Sequence, residues 1–326
     1  MNSTFQPLVS IIFTSYNHSE FLKQALDALV NQTYPNIEII IIDDCSTDGS
    51  QDILKNYRDF KNINLVLQEK NSGSYVLASN YGASFAKGDY ILFAQCDDFS
   101  EPNQIELLIT AAVENPSCGV VFSSSNMVDE NGVTFANDYT GREKGFKDLV
   151  NKTPIIKGED MTDFLTFSCV LPNLSAALIK HDLFRKVKGL SDSFIVVADW
   201  EFWLKLSQLT DFFYIKKSLN NFRQHPTTIR SSVKMKVQIL EIFSMFQNHT
   251  KHYSFTTKQV FNFYVGFGAI WFSYFLENKR QWLIILPGIS KTISNKLKFP
   301  LIFLFFGLIK FIYEYIFRLF NSSITK

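Results

Sequence analysis

Asp97 and Asp98 stand side by side where a short apolar run, Tyr90-Ile91-Leu92-Phe93-Ala94, gives out after the turn residue Gly88. A run of that length and make-up reads as a buried strand, so both acids are delivered to a sheet edge. Ligands of open α/β sheets bind beyond the carboxyl ends of the strands, and hard carboxylate oxygens suit Mg²⁺ or Mn²⁺. A solvated Asp-Asp turn fits the same residues equally well, because acids after strands are common turn chemistry. A second pair, Asp43-Asp44, closes the apolar run Ile37–Ile42, and Asp199 opens a helical stretch beside Trp200 and Glu201. Asp at a helix start is also an ordinary dipole partner. Further on, Phe222-Arg223-Gln224-His225-Pro226 brings a cation and an imidazole into one short segment.

The elements that must position these groups alternate in period. Leu8–Phe13 reads as a strand, Thr14-Ser15-Tyr16-Asn17 as a turn, and Phe21, Leu22, Ala25, Leu26 and Leu29 as one face of a helix. Asn17 is placed as the N-cap of that helix, with Glu20 three residues on. Ile37–Ile42 has the continuous apolar character of a strand buried on both faces. Asn64–Leu67 is the next strand, Tyr75–Ala86 a helix, Asn103–Glu114 another, and Gly119–Phe122 a further strand. Beyond the Asp129-Glu130-Asn131-Gly132 turn, residues 137–158 read as a polar loop over the site. Then follow a strand at Ser175–Ile179, a short helix at Lys180–Lys186, a helix at Ala198–Leu209 and a strand at Phe213–Ile215. Alternation of this kind predicts an open α/β sheet, mostly parallel, flanked by helices. No G-x-G-x-x-G follows the first strand, which disfavours a dinucleotide site.

Composition narrows the partners. The 326 residues carry 32 basic and 31 acidic side chains, and this balance gives no sign of nucleic acid binding. The four cysteines lie far apart with no CxxC pair, as in a chain of a reducing compartment without a zinc site or disulfide framework. The amino-terminal residues MNSTFQPLVS have neither the basic nor the apolar region of a secretory signal, so a cytoplasmic location is expected.

Taken in order, PLVSIIFTSYN, IEIIIIDDCSTDGS, the block from Asn71 to Asp98, KGLSD at 188–192, VADWEFWLKL and FRQHP resemble the family 2 glycosyltransferases over residues 7–226. That resemblance implies the GT-A nucleotide-sugar fold and inverting transfer of a hexosyl or N-acetylhexosaminyl group. The donor would be a nucleoside-diphosphate sugar, UDP-type, and the acceptor a glycan or polyprenyl-linked glycan. It implies that Thr14, Tyr16, Asn17, Asp43 and Asp44 flank the nucleotide and that Asp97 and Asp98 fall in the family's D-x-D region. On this basis Asp98 is assigned to Mn²⁺ or Mg²⁺, Asp97 to ribose or metal, and Asp199 to the general base. Arg223 and His225 match a segment that closes over the diphosphate, where a cation or imidazole would stabilise the leaving group or complete the metal shell; Arg223 is assigned to the nucleotide and His225 to the metal. The sequence departs from the family pattern at Gln95, where many members carry the first acid, and at Ala198, where Glu is frequent.

The carboxyl-terminal third differs. Met235–Phe246 has helical apolar spacing and Val260–Leu276 is apolar with aromatics throughout, near the shortest length that spans a bilayer. In Phe299–Phe320 the residues Lys310, Glu314, Arg318 and Asn321 form a narrow polar stripe on an otherwise apolar helix. Three ionisable groups make a crossing costly, so the expected place is the membrane interface, with packing on the protein or in a homo-oligomer as the alternative. The expectation is a catalytic domain at 1–226 and a helical, membrane-associating region at 227–326, peripheral at the inner face of the cell membrane. Without Q-x-x-R-W or an array of spans, one sugar per encounter is expected. Two other readings stay open: a non-catalytic nucleotide-sugar-binding scaffold, kept alive by Gln95 and Ala198, and a nucleotidyltransferase, for which TSYNHSE lacks the phosphate loop.

Overall fold

The computed structural model describes residues 6–171, 173–226 and 235–277, together with Ile309 and Ile312. The chain begins as strand, helix and strand: β1 (Val9–Ser15), α1 (Ser19–Val30), β2 (Ile37–Asp43), α2 (Ser50–Lys55), β3 (Ile63–Leu67), α3 (Tyr75–Ala83) and β4 (Tyr90–Gln95). It continues with β5 (Phe99–Ser100), α4 (Gln104–Glu114), β6 (Cys118–Val128), β7 (Thr134–Asn137), α5 (Asp138–Gly141), α6 (Lys144–Lys152), β8 (Ile155–Ile156) and α7 (Gly158–Phe167). After a 3₁₀ turn at Leu174–Ala176 come β9 (Ala177–Lys180), α8 (His181–Lys186), α9 (Ala198–Ser207) and β10 (Asp211–Arg223), then α10 (Met235–His252) and α11 (Thr257–Glu277).

The strands form one sheet in the order β3-β2-β1-β4-β9-β6-β10-β5, with β7 on β6 and β8 on β10. Parallel pairing runs from β3 through β4 and again between β6 and β10. The sheet is mixed, with its long pairings parallel as expected; β9 enters antiparallel between β4 and β6, and short return strands pair antiparallel with β6 and β10. β1 is buried along its whole length, as a central strand covered on both faces must be. Ile11 and Phe13 share a cluster with Leu22, Leu26 and Leu29 of α1 and Ile105 and Leu108 of α4. Each such side chain removed from water is worth about 1.5–3 kcal/mol. The opposite face meets α3 so closely that a Cβ on Gly82 would lie 2.7 Å from Ile12 Cγ2 and 2.9 Å from Ile42 Cγ1.

Three local expectations are corrected. Asn17 does not cap α1; it takes a left-handed φ of 52° and its Oδ1 accepts from the Thr47 N–H, while Asp48 Oδ2 accepts from the Ser19 N–H at the helix start. Residues 137–158 are not a loop but hold α5, α6 and β8, tied down by the Asp138–Arg142 ion pair at 2.5 Å and by Tyr139 stacked on Tyr214. The strand placed at Phe213–Ile215 runs the full length of β10 and carries Arg223 as its last residue.

The described residues fall into two compact units, one drawn from Met1–Met161 and Val170–Thr228, the other from Thr162–Cys169 and Ile229–Lys326. Within the second unit α10 and α11 pack through Phe246 and Phe263, stacked at 3.7 Å, and through Phe243 and Phe267. Gly266 lets α11 approach Phe167, whose carbonyl oxygen a Cβ would meet at 2.3 Å. Among the described residues no helix is long and apolar enough to cross a membrane. The polar stripe expected at Phe299–Phe320 lies outside the described residues; of that stretch only Ile309 and Ile312 are described, and both are exposed.

Candidate active site

Parallel registration of β1 with β2 and β4 sets Ser15 opposite Asp43 and Thr14 opposite Gln95. The loops after these strands therefore emerge at one edge of the sheet, where ligands of such sheets bind. Asp43 and Asp44 are both buried and serve as acceptors for neighbouring turns. Asp43 accepts from the Ser46 N–H and hydroxyl at 2.9 and 2.6 Å and from Gln51 Nε2 at 3.0 Å. Asp44 accepts from Gln68 Nε2 at 2.7 Å and from the Ser72 N–H and hydroxyl, each at 2.8 Å, which joins the β2 loop to the Asn71–Ser74 turn. Thr14 is buried at the end of β1, while Tyr16 is 46% exposed at the mouth of the loop.

The adjacent acids separate in environment. Asp98 is enclosed: Oδ1 accepts from the Arg223 N–H at 3.0 Å and Oδ2 faces Asn220 Nδ2 at 3.5 Å. Burial, and then the neighbouring Asp97 charge, push its pKa up from the usual carboxylate range, while the hydrogen bonds it accepts act the other way. Asp97 turns the other way, keeps 22% of its side chain exposed and sets Oδ2 3.0 Å from His225 Nε2. The expectation that Asp98 leads on the metal does not match this placement; of the pair, Asp97 is the acid presented beside the imidazole.

Arg223 is also placed differently from expectation. Its side chain is enclosed, with Nε donating to the Asp97 carbonyl at 2.8 Å, Nη1 to the Asp129 and Glu130 carbonyls at 3.2 and 2.7 Å, and Nη2 to Gln24 Oε1 at 2.6 Å. The guanidinium lies 4.5 Å from the Phe21 ring centroid and 5.3 Å from that of Phe99. Burial lowers its pKa while Asp97 and Asp98 hold it up. A guanidinium engaged in this way does not reach out to a diphosphate.

His18 was not singled out in the sequence. Its ring meets His225 edge to face at 5.3 Å and Phe21 at 6.1 Å, and Nδ1 lies 2.8 Å from the Tyr16 carbonyl. The only signal for it was its position in the TSYNHSE turn. Asp199 stands half-buried in the first turn of α9, where Oδ1 accepts from the Trp200 N–H at 2.7 Å. Glu201 is buried and paired with Lys205 at 2.9 Å.

Residues 10–169 match the model of Glycosyl transferase family 2. Over that stretch the chain belongs to family 2 of the glycosyltransferases. It is 32% identical over 180 residues to Glycosyltransferase GlyG of Streptococcus pneumoniae, a match covering 55% of this chain and 59% of that protein. It is 28% identical over 223 residues to a chondroitin synthase of Escherichia coli, covering 66% of this chain and 29% of the synthase. The chain thus spans less than two thirds of either relative. Among solved structures, S. aureus TarS 1-349 in complex with UDP-GlcNAc superposes with a TM-score of 0.66 at 19% identity, covering 86% of this chain and 79% of that one. Mannosyltransferase PcManGT from Pyrobaculum calidifontis, in complex with GDP-Man and Mn²⁺, gives 0.56 at 13% identity, covering 95% and 88%. At these identities the two structures establish the fold of this family 2 chain: a mixed sheet flanked by helices.

Proposed function

We propose that the chain is an inverting glycosyltransferase that moves a hexosyl or N-acetylhexosaminyl group from a UDP-type sugar donor to a glycan or polyprenyl-linked glycan. The observation that carries this reading is the approach of Asp97 Oδ2 to His225 Nε2 at the sheet edge, 3.0 Å apart. Asp97 and His225 would hold the ion: a carboxylate oxygen suits Mg²⁺ and Mn²⁺, and an imidazole beside it favours Mn²⁺ of the two. Among the described residues no group of three or more His, Cys, Asp or Glu makes a closed cage, and an ion that arrives with a diphosphate does not require one. When bound, the ion supplies positive charge against the leaving diphosphate. The relatives solved with UDP-GlcNAc and with GDP-Man and Mn²⁺ support a nucleotide-sugar donor and a divalent ion.

The remaining roles belong to the chain's own groups. Tyr16 offers an exposed aromatic face, and Asp43 and Asp44 hold the turns that would frame a uracil and ribose together with Thr14 and Asn17. Asp199 takes the proton of the acceptor hydroxyl as that oxygen attacks opposite the leaving group. It is favoured over Glu201 because Lys205 already neutralises Glu201 in a buried setting.

Residues 1–226 form the catalytic part in this reading, and residues 227–326 bring it to the cytoplasmic face of a membrane. Charge supports the second half of that statement: residues 227–326 hold 13 Lys and Arg against three acids, whereas residues 1–226 hold 19 against 28. A basic, aromatic-rich region beside an acidic catalytic part suits an anionic lipid surface.

Calorimetry of UDP binding with and without Mn²⁺, followed by a screen of UDP-sugars for UDP release, tests the proposal. Metal-dependent binding, with turnover lost in Asp199→Asn, is expected. Metal-dependent binding without turnover on any donor and acceptor points to a scaffold instead, and full activity in D199N removes Asp199 as the base.

A further inference from the structure

We infer that Arg223 is a positioning residue: one buried guanidinium fixes the main chain at Asp97 and so sets the affinity of the Asp97–His225 pair for a divalent ion. The inference rests on the metal reading proposed above and assigns a role to a residue two positions from His225 that holds no ligand itself.

The carboxylate of Asp97 is aimed by its own backbone, and that backbone follows β4 in a short turn before β5. Asp98 anchors the turn on one side, through the Arg223 N–H at 3.0 Å. Arg223 Nε anchors the other, through the Asp97 carbonyl at 2.8 Å. The same residue therefore holds both members of the acid pair, one with its main chain and one with its side chain. His225 follows two residues later, so carboxylate and imidazole are referred to one fixed point.

The other arms keep the guanidinium from turning. Nη1 donates to the Asp129 and Glu130 carbonyls in the turn between β6 and β7, and Nη2 donates to Gln24 of α1. Phe21 and Phe99 cover its faces. Three different elements thus hold a planar donor whose remaining arm reaches Asp97. Lysine has a single rotatable ammonium and lacks this fork, so Arg→Lys is not a conservative change here. Groups that orient a metal ligand without touching the ion typically alter affinity by about 10–100-fold.

The experiment is calorimetric titration of the full chain with Mn²⁺ in the presence of UDP, and with UDP in EDTA. Arg223→Met should weaken Mn²⁺ binding by roughly tenfold or more, and Arg223→Lys by an intermediate factor, while UDP binding in EDTA stays within about twofold. R223K carries the same test if R223M does not fold. Phe212→Leu removes packing from the far end of β10 and serves as the control for lost stability. If it weakens Mn²⁺ binding as much as R223M does, the positioning role is overturned. It is also overturned if Arg223 variants bind Mn²⁺ within twofold of the parent while Asp97→Asn does not. If D97N too binds Mn²⁺ as the parent does, the metal reading fails and takes this inference with it.

Discussion

Asp97 Oδ2 and His225 Nε2 lie 3.0 Å apart although β4 and β10 are separated in the sheet by β9 and β6. The pair exists because the turn after β4 reaches across to β5, which itself pairs antiparallel with the end of β10. Asp97→Asn and His225→Ala should each reduce Mn²⁺-stimulated UDP release by about 10²–10³-fold, the usual cost of removing a charge-stabilising group at a leaving group. Thermal unfolding should change little in Asp97→Asn, because the Asp97 side chain is partly exposed, and more in His225→Ala, whose buried ring packs against His18 and Phe21. Equal activity with and without Mn²⁺ in the parent protein would count against both assignments.

Asp98 calls for the opposite pattern. It is a buried acceptor for the Arg223 N–H and faces Asn220 Nδ2, so Asp98→Ala leaves buried donors without a partner. A destabilisation of about 2–3 kcal/mol is expected from urea unfolding, and Asp98→Asn, which keeps an acceptor oxygen, should cost less. Equal loss in both variants would mean that charge rather than hydrogen bonding fixes the site.

These two acids mark the limit of what the sequence discloses. The strand ending in Asp97-Asp98, the fully buried β1, the largely buried β2 and the helices behind them follow from period and apolar runs, and the ordered motifs pointed to the family. Which acid faces outward did not follow, since adjacent residues of one turn differ only in what the rest of the chain packs against them. The sequence singled out Arg223 but not its partners: three of its acceptors are main-chain carbonyls, which any residue supplies. The end of β10 was hidden by Asn220 and Asn221, whose amides interrupt the apolar pattern because they are buried against Asp98, Phe99 and Glu101. In α5 the Asp138 side chain accepts from the Ser125 N–H of β6, a long-range tie that no local propensity foretells.

Asp48 gives a prediction with a defined pH window. Its Oδ2 accepts from the Ser19 N–H at the start of α1 and its Oδ1 from the Ser50 N–H and hydroxyl at the start of α2, so one carboxylate caps two helices. Burial acts to raise its pKa, but the hydrogen bonds from Ser50 and Ser19 outweigh it and bring the value down to about 2. A folded pKa below the unfolded value of about 3.9 means that the contribution is present above that pH and is lost as pH falls toward 2. Asp48→Ala should cost about 1 kcal/mol at neutral pH, as the loss of a cap does. The stabilities of parent and variant, measured by urea unfolding, should converge between pH 4 and about 2. A gap that stays constant over that range would show that the carboxylate charge plays no part.

The basic region at 227–326 predicts a salt-dependent attachment. Each Lys or Arg close to an anionic leaflet contributes about 1 kcal/mol at physiological ionic strength, and the attraction fades within a Debye length of about 8 Å. The full chain should therefore sediment with vesicles containing phosphatidylglycerol and not with pure phosphatidylcholine vesicles. Raising salt from about 0.05 to 0.5 M, which shortens the Debye length several-fold, should release most of it. Apolar insertion acts in the other direction: exposed Phe261 on α11 and exposed Ile309 and Ile312 can add lipid contact that salt does not reverse. The two contributions separate in one experiment, since charge-reversing substitution of Lys279 and Arg280 to Glu should shift the salt midpoint downward and leave any salt-resistant fraction unchanged. Binding to neutral vesicles as tight as to anionic ones would rule out the electrostatic part of the attachment.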